Sequence, residues 1–293
     1  MTVELPGEPM RACYERDGYL LLRNVIAPAV LDALCARIDR QIDDYGAELQ
    51  RRGKVSELYA DLPFARRLAA LLHGTGIRLR KWNDFLFGPE IYALVTSPDL
   101  LAALSAILGP EVTFHGDYQL TPKLPDNTLQ AFPWHQDTLY YGRPTADLHI
   151  VTAWVPLVEA TELNGCLQVI PGSHRWGLLD GVRDTDMNVH PLEDVTARGA
   201  PIAIPMRPGD VLLMTNLTFH ASAVNRSEEV RWSLDLGFSA TPAQGGASAR
   251  LRAAQDYLYT ALRNGARTPL RIASTNPAQI ESFADWERRH QAA

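Results

Sequence analysis

The 293-residue sequence predicts a mainly β fold with a helical layer at its N-terminus. Three observations carry this. Apolar stripes of helical period are confined to about residues 1–110, short β-branched runs punctuated by Pro and Gly fill about 111–240, and helical periodicity returns in about 248–293. Short strands at such spacing build a sandwich, a jelly roll or a barrel. No internal repeat or low-complexity linker divides the chain, so 1–293 reads as one domain, near the size of roughly 250 to 300 residues at which single cores stop growing.

In chain order, "DGYLLLRNVI" reads as a short strand. Pro28 then fits the first turn of a helix whose stripe is Leu31, Leu34, Cys35, Ile38, Ile42, Tyr45 and Leu49. In "SPDLLAALSAILG" Ser97 is placed as N-cap, Pro98 at the first position and Gly109 beyond the last turn. From Glu111 onward "VTFHGDYQLT", "HIVTAWVPLV", "GCLQVIPGS", "PIAIPMRPGDVLLMT" and "VRWSLDLGFSA" are strand-length and bounded by turn signals. The polar stretch from "WGLLDGVRDTDMN" to "VTARGA" reads as a long loop over one end. "ARLRAAQDYLYTALRNG" reads as a helix, whereas the tail "ESFADWERRHQAA" is too polar to assign an element.

The composition, 46% hydrophobic and 21% charged, is that of a soluble globular protein. A net charge of −6 argues against a nucleic-acid surface. Cys13, Cys35 and Cys166 are odd in number and widely spaced, which suits a reducing cytoplasm, and the N-terminus lacks the pattern of a signal peptide. No apolar run approaches the ~18 residues of a membrane span, so neither a membrane nor a nucleic acid is an expected partner.

Chemistry concentrates in "FPWHQDTLYYG", residues 132–142, where His135 and Asp137 flank Gln136. Downstream lie Trp154, Asn164, Gly165, His174, His220 and Arg231. Two histidines and one carboxylate with open positions form the facial triad expected of non-haem Fe(II). A second His-x-Asp triplet, His115 and Asp117 in "FHGDYQLT", competes for the role. There Phe114, Gly116, Tyr118 and Leu120 alternate with His115, Asp117, Gln119 and Thr121, a strand with one polar face that meets solvent or lines a pocket mouth. Gln136 reads as a spacer, and Asn164, Gly165 and His174 as turn residues. Tyr140, Tyr141, Arg143, Trp134 and Trp82 either line a substrate cavity or pack at strand ends.

From "YERDGYLLLRNVI" to about Phe238 the chain resembles the phytanoyl-CoA dioxygenase family of Fe(II)- and 2-oxoglutarate-dependent oxygenases. The resemblance lies in "WHQD", the "W.PL" pattern at Trp154, "NGCLQVIPGSH", "PGDVLL" and the interval from His220 to Arg231. It implies a double-stranded β-helix, a cupin-like jelly roll holding the metal inside. It also implies that His135, Asp137 and His220 bind iron, that Arg231 holds the distal carboxylate of 2-oxoglutarate, and that Ser222 and Trp154 border that cosubstrate. Ser233, two residues after Arg231 on a strand, faces the same side, and Gln119 is a cosubstrate contact on similar geometry. The implied activity uses O2 to hydroxylate an unactivated C–H bond of a small-molecule natural product, with succinate and CO2 as co-products. Desaturation, epoxidation and ring formation stay open. Halogenation does not fit, because related halogenases carry a small residue where Asp137 stands. A zinc hydrolase and a non-catalytic jelly-roll binder are the readings from other classes; the first has no use for Arg231 and the second none for a complete ligand set.

Overall fold

The computed structural model describes residues 9–80, 82, 86–241, 248–264 and 267–291. Among them the strands are β1 (Tyr19–Leu22), β2 (Val112–Lys123), β3 (Phe132–His135), β4 (Ile150–Pro156), β5 (Leu167–Val169), β6 (Gly181–Arg183), β7 (Val189–Pro191), β8 (Ile202–Ile204), β9 (Val211–Thr215), β10 (His220–Ser222), β11 (Arg231–Ala240) and β12 (Leu270–Ala273). They form a six-stranded sheet in the order β1-β9-β4-β11-β2-β12, a four-stranded sheet in the order β3-β10-β5-β8, and a separate β6-β7 hairpin. Neighbouring strands are antiparallel, and the two larger sheets pack face to face through Leu21, Trp154, Leu212 and Met214 on one side and Leu167, Val169 and Ile204 on the other. This is a jelly roll.

The helices are α1 (Met10–Asp17), α2 (Pro28–Arg51), α3 (Phe64–Leu72), α4 (Pro89–Val95), α5 (Pro98–Leu108), α6 (Thr138–Tyr141), α7 (Ala249–Asn264) and α8 (Phe283–Gln291). Period-two alternation on β11 explains how they attach. Trp232, Leu234, Leu236 and Phe238 face outward into the largest apolar cluster, where they meet Leu34, Ile38 and Ile42 of α2 and Leu104 of α5. Arg231, Ser233, Asp235 and Gly237 face inward and border a cavity. The outer face of the large sheet therefore carries the fold, and the inner face is left for chemistry.

Several local expectations change. Ser97 precedes α5, yet its hydroxyl donates to Ala93 O at 3.0 Å and does not cap α5, because α4 ends beside it with carbonyls to satisfy. "PIAIPMRPGDVLLMT" forms two strands, β8 and β9, in different sheets. The stretch read as a long loop contains the β6-β7 hairpin. The polar tail carries α8, anchored chiefly by Trp286, which is 1% exposed, packs on Phe87 and Phe114, and donates Nε1–H to Thr268 O at 2.6 Å; Phe283 and His290 of the same helix also lie against Phe87. Gly116 bulges β2, which takes four residue steps from Phe114 to Tyr118 where β11 takes two. Its φ of +68° and the Thr268 carbonyl, 2.5 Å from where a Cβ would sit, require glycine.

No single described helix is long and apolar enough to cross a membrane; α4 and α5 together have the length but meet at 52°, with their apolar residues in the main cluster.

Trp286→Ala should lower stability by about 3–5 kcal/mol in urea denaturation, the usual cost of emptying a buried tryptophan site. A loss below about 1 kcal/mol would show that α8 is not part of the core.

Candidate metal centre

β3 and β10 pair so that His135 lies directly opposite His220, the last residue of one strand against the first of the other. Their ring centroids are 4.1 Å apart. His135 Nδ1 lies 2.7 Å from Pro133 O and His220 Nδ1 lies 3.0 Å from Thr218 O. A carbonyl only accepts, so both Nδ1 atoms carry the proton and both Nε2 lone pairs are free to bind a cation. Burial first, and His220 second, push the His135 imidazolium down to about 4, which keeps its ring neutral, as a ligand must be.

After His135 the chain turns into α6, and this brings Asp137 back over the imidazoles. Asp137 Oδ1 is 3.6 Å from His135 Nε2 and 3.5 Å from His220 Nε2. Two ligands of one ion, each at roughly 2.1 Å, are at most about 4.2 Å apart, so the spacing suits a single ion. Among the described residues this is the group of His, Cys, Asp and Glu whose donors converge, all within 4.8 Å. Asp137 Oδ2 accepts a 2.6 Å hydrogen bond from Thr152 Oγ1 on β4, which leaves Oδ1 turned toward the two Nε2 atoms and able to bind a cation. Gln136 is more than a spacer: fully buried, it donates to Gly177 O and Leu217 O and accepts from Leu179 N, tying two loops to the turn between His135 and Asp137.

The same cavity, about 230 Å³, reaches Arg231 at the start of β11. Arg231 is 2% exposed; it donates through Nη1 to Ser233 Oγ at 2.6 Å and lies over the Trp154 ring at 5.1 Å, while its Nε has no partner. Burial pushes the guanidinium down to about 10, and no carboxylate of the described residues lies within ion-pair distance. A buried cation with an orphaned donor is a site built for an anion. Ser233, Ser222, Trp154, Gln119 and Thr121 line the cavity between this end and the metal ligands. Ser222 Oγ accepts from Lys123 Nζ at 2.7 Å, a partner that the sequence did not single out.

His115 takes no part in the ligand cluster. It is fully buried, bonded through Nε2 to Ser239 Oγ at 2.9 Å, and held neutral by burial, which pushes it down to about 3. Asp117 does border the cavity, where it pairs with Arg267 at 3.1 Å. Tyr140 and Tyr141 line the cavity with Arg80 and Asp235. Gly237 makes room for Tyr141, whose hydroxyl lies 2.6 Å from where a Cβ would stand. Trp82 and Trp134 belong to apolar clusters, and Arg143 pairs with exposed Asp180 at 2.8 Å. The β6-β7 hairpin reaches the cavity rim: Tyr140 Oη accepts from Val189 N at 3.1 Å, and Arg80 donates to Asn188. Asn164 and Gly165 are turn residues, the latter at φ +78°, while His174 reaches across to Glu15 O at 3.0 Å.

A family model described as phytanoyl-CoA dioxygenase (PhyH) matches residues 14–233. A probable phytanoyl-CoA dioxygenase of Caenorhabditis elegans is 26% identical over 241 residues, covering 78% of this chain and 74% of that protein. Among solved structures, the non-heme monooxygenase ThoJ in its apo form is similar with a TM-score of 0.58 at 16% identity, over 97% of this chain and 98% of that one. EvdO2 from Micromonospora carbonacea var. aurantiaca, complexed with 2-oxoglutarate, is similar with a TM-score of 0.57 at 22% identity, over 86% and 98%. At these identities the two structures bear on the fold.

Thr152→Val removes the hydroxyl that fixes Asp137 while keeping its shape. Metal affinity should fall 10- to 100-fold with little change in stability, as measured by competition with a metal indicator. Unchanged affinity would leave Thr152 as a packing residue only.

Proposed function

The chain belongs to the phytanoyl-CoA dioxygenase family and is a non-haem oxygenase dependent on iron, 2-oxoglutarate and O2; from that premise we propose that residues 1–293 form a single cytoplasmic catalytic domain that hydroxylates an unactivated C–H bond of a small-molecule natural product. One observation supports this most: a converging His2Asp cluster and a buried guanidinium without a carboxylate at ion-pair distance open into the same cavity.

When bound, iron with 2-oxoglutarate and O2 supplies oxidative decarboxylation to succinate and CO2, and with it the oxidising power for a C–H bond. The chain supplies the rest. His135, His220 and Asp137 would hold the ion from one side, with the Nδ1 bonds to Pro133 and Thr218 and the Thr152 bond to Asp137 setting the direction of each lone pair. Arg231 and Ser233 would take the distal carboxylate, with Trp154 as wall. A guanidinium matches both oxygens of a carboxylate, and its burial excludes water that would compete for them.

Arg80, Asp117, Asp235 and Arg267, with Tyr140 and Tyr141, would border the substrate. That lining is charged and rich in hydrogen-bonding groups, so it favours a polar metabolite over a bare hydrocarbon chain. Burial pushes the Tyr141 phenol well above its usual value, and the carboxylates of Asp117, Asp137 and Asp235 push it further. It is therefore a neutral hydrogen-bond donor toward whatever occupies the cavity.

A panel of polar metabolites scored for succinate and for oxygen incorporated from labelled O2 tests this reading. Matched succinate and labelled alcohol are expected; succinate with an unlabelled product would point to desaturation or ring closure. Arg231→Ala should leave iron affinity nearly intact and weaken 2-oxoglutarate binding more than tenfold, since a charge-assisted hydrogen bond is worth about 1.5 to 3 kcal/mol. Equal affinity in both proteins would remove Arg231 from the site.

A further inference from the structure

Lys123 raises a question that the metal centre does not answer. It is fully buried, and β2-β11 pairing sets it directly opposite Arg231, so two basic side chains face each other across strands in the interior. No carboxylate of the described residues lies within ion-pair distance of either. Like charges in that position destabilise a sheet, and each buried charge carries its own desolvation cost. An anion beside them would favour the charged form of both.

The hydrogen bonds say where that anion goes. Lys123 Nζ donates to Ser222 Oγ at 2.7 Å and to Ala223 O at 2.6 Å, just as Arg231 donates to Ser233 Oγ at 2.6 Å. A hydroxyl whose lone pair is engaged by a cationic donor must direct its own proton elsewhere. Both serines line the cavity, so that proton is available to a ligand there. Burial, and after it the neighbouring Arg231, push the Lys123 ammonium down to about 6 while Asp235 works against them; a carboxylate at Ser222 would favour the charged form further. The "NGC" turn makes room for this lysine: Gly165 sits at φ +78°, and a Cβ there would approach Lys123 Cδ to 3.2 Å and Ala223 O to 2.5 Å.

We propose that Lys123 is a positioning residue for the distal carboxylate of the cosubstrate, acting through Ser222, so that the carboxylate meets two cation-oriented hydroxyls as well as Arg231. This rests on the assignment of 2-oxoglutarate to that end of the cavity.

The test is anaerobic calorimetry of the full-length Fe(II)-loaded protein with 2-oxoglutarate and with 2-oxopentanoate, which keeps the chelating end and replaces the distal carboxylate by a methyl group. Lys123→Met and Ser222→Ala should each lower 2-oxoglutarate affinity about tenfold. The double variant should be no weaker than the worse single one within about twofold, because both changes break the same bond. Affinity for 2-oxopentanoate should stay within about twofold of wild type throughout. Equal losses for both ligands, or an unchanged Ser222→Ala, would overturn the proposal, and Ser222→Ala alone decides it if Lys123→Met does not fold. Should Arg231→Met also keep full 2-oxoglutarate affinity, or wild type fail to bind it, the underlying assignment falls and this one with it. Loss in Arg231→Met beside unaffected Lys123 and Ser222 variants would remove this proposal alone.

Discussion

Everything in the centre depends on the register between β3 and β10. His135 and His220 are opposite one another because two short strands pair antiparallel with these residues at their adjoining ends. A slip of one residue would turn one imidazole to the far face of the small sheet. The register is held from both sides. Phe219 N donates to Ser173 Oγ at 2.9 Å just before His220, and buried Gln136 binds three backbone groups just after His135. The strands that position the ligands are short, so these loop contacts take over work that a longer ladder would do.

A second constraint is the division of labour across the large sheet. Along β11, Trp232, Leu234, Leu236 and Phe238 bury themselves under the helices, while Arg231, Ser233, Asp235 and Gly237 form the cavity floor. The inner row runs from a cation, through a hydroxyl and a carboxylate, to a glycine that admits Tyr141. Because one strand serves both purposes, the outer packing fixes the inner side chains without any of them contributing to the core.

Much of this was legible in the sequence. The alternating strands and the α2 stripe follow from period and residue type, and the set that the resemblance implies, His135, Asp137 and His220 instead of His115, is the one whose donor atoms converge. What the residues alone left open is why: His115 sits on a strand with a polar face, and only the bulge at Gly116 and the bond to Ser239 show that its ring is spent on the fold. Lys123, Thr152 and Gln136 were not legible as site residues. Each acts on another side chain or on backbone distant in sequence, and one chain carries no local signal for such partners. The tail was illegible for a different reason, since α8 attaches through a few rings, Phe283, Trp286 and His290, set in an otherwise polar segment.

We propose that His135, Asp137 and His220 form an iron site that shares its cavity with a 2-oxoglutarate site. Anaerobic addition of Fe(II) and then 2-oxoglutarate to the protein, followed by visible absorption, tests it most directly. The weak charge-transfer band of a chelated 2-oxo acid is expected in the wild type and no band in His135→Ala or His220→Ala. A band that persists in His135→Ala but vanishes in a His115 variant, or no band in the wild type, would contradict it.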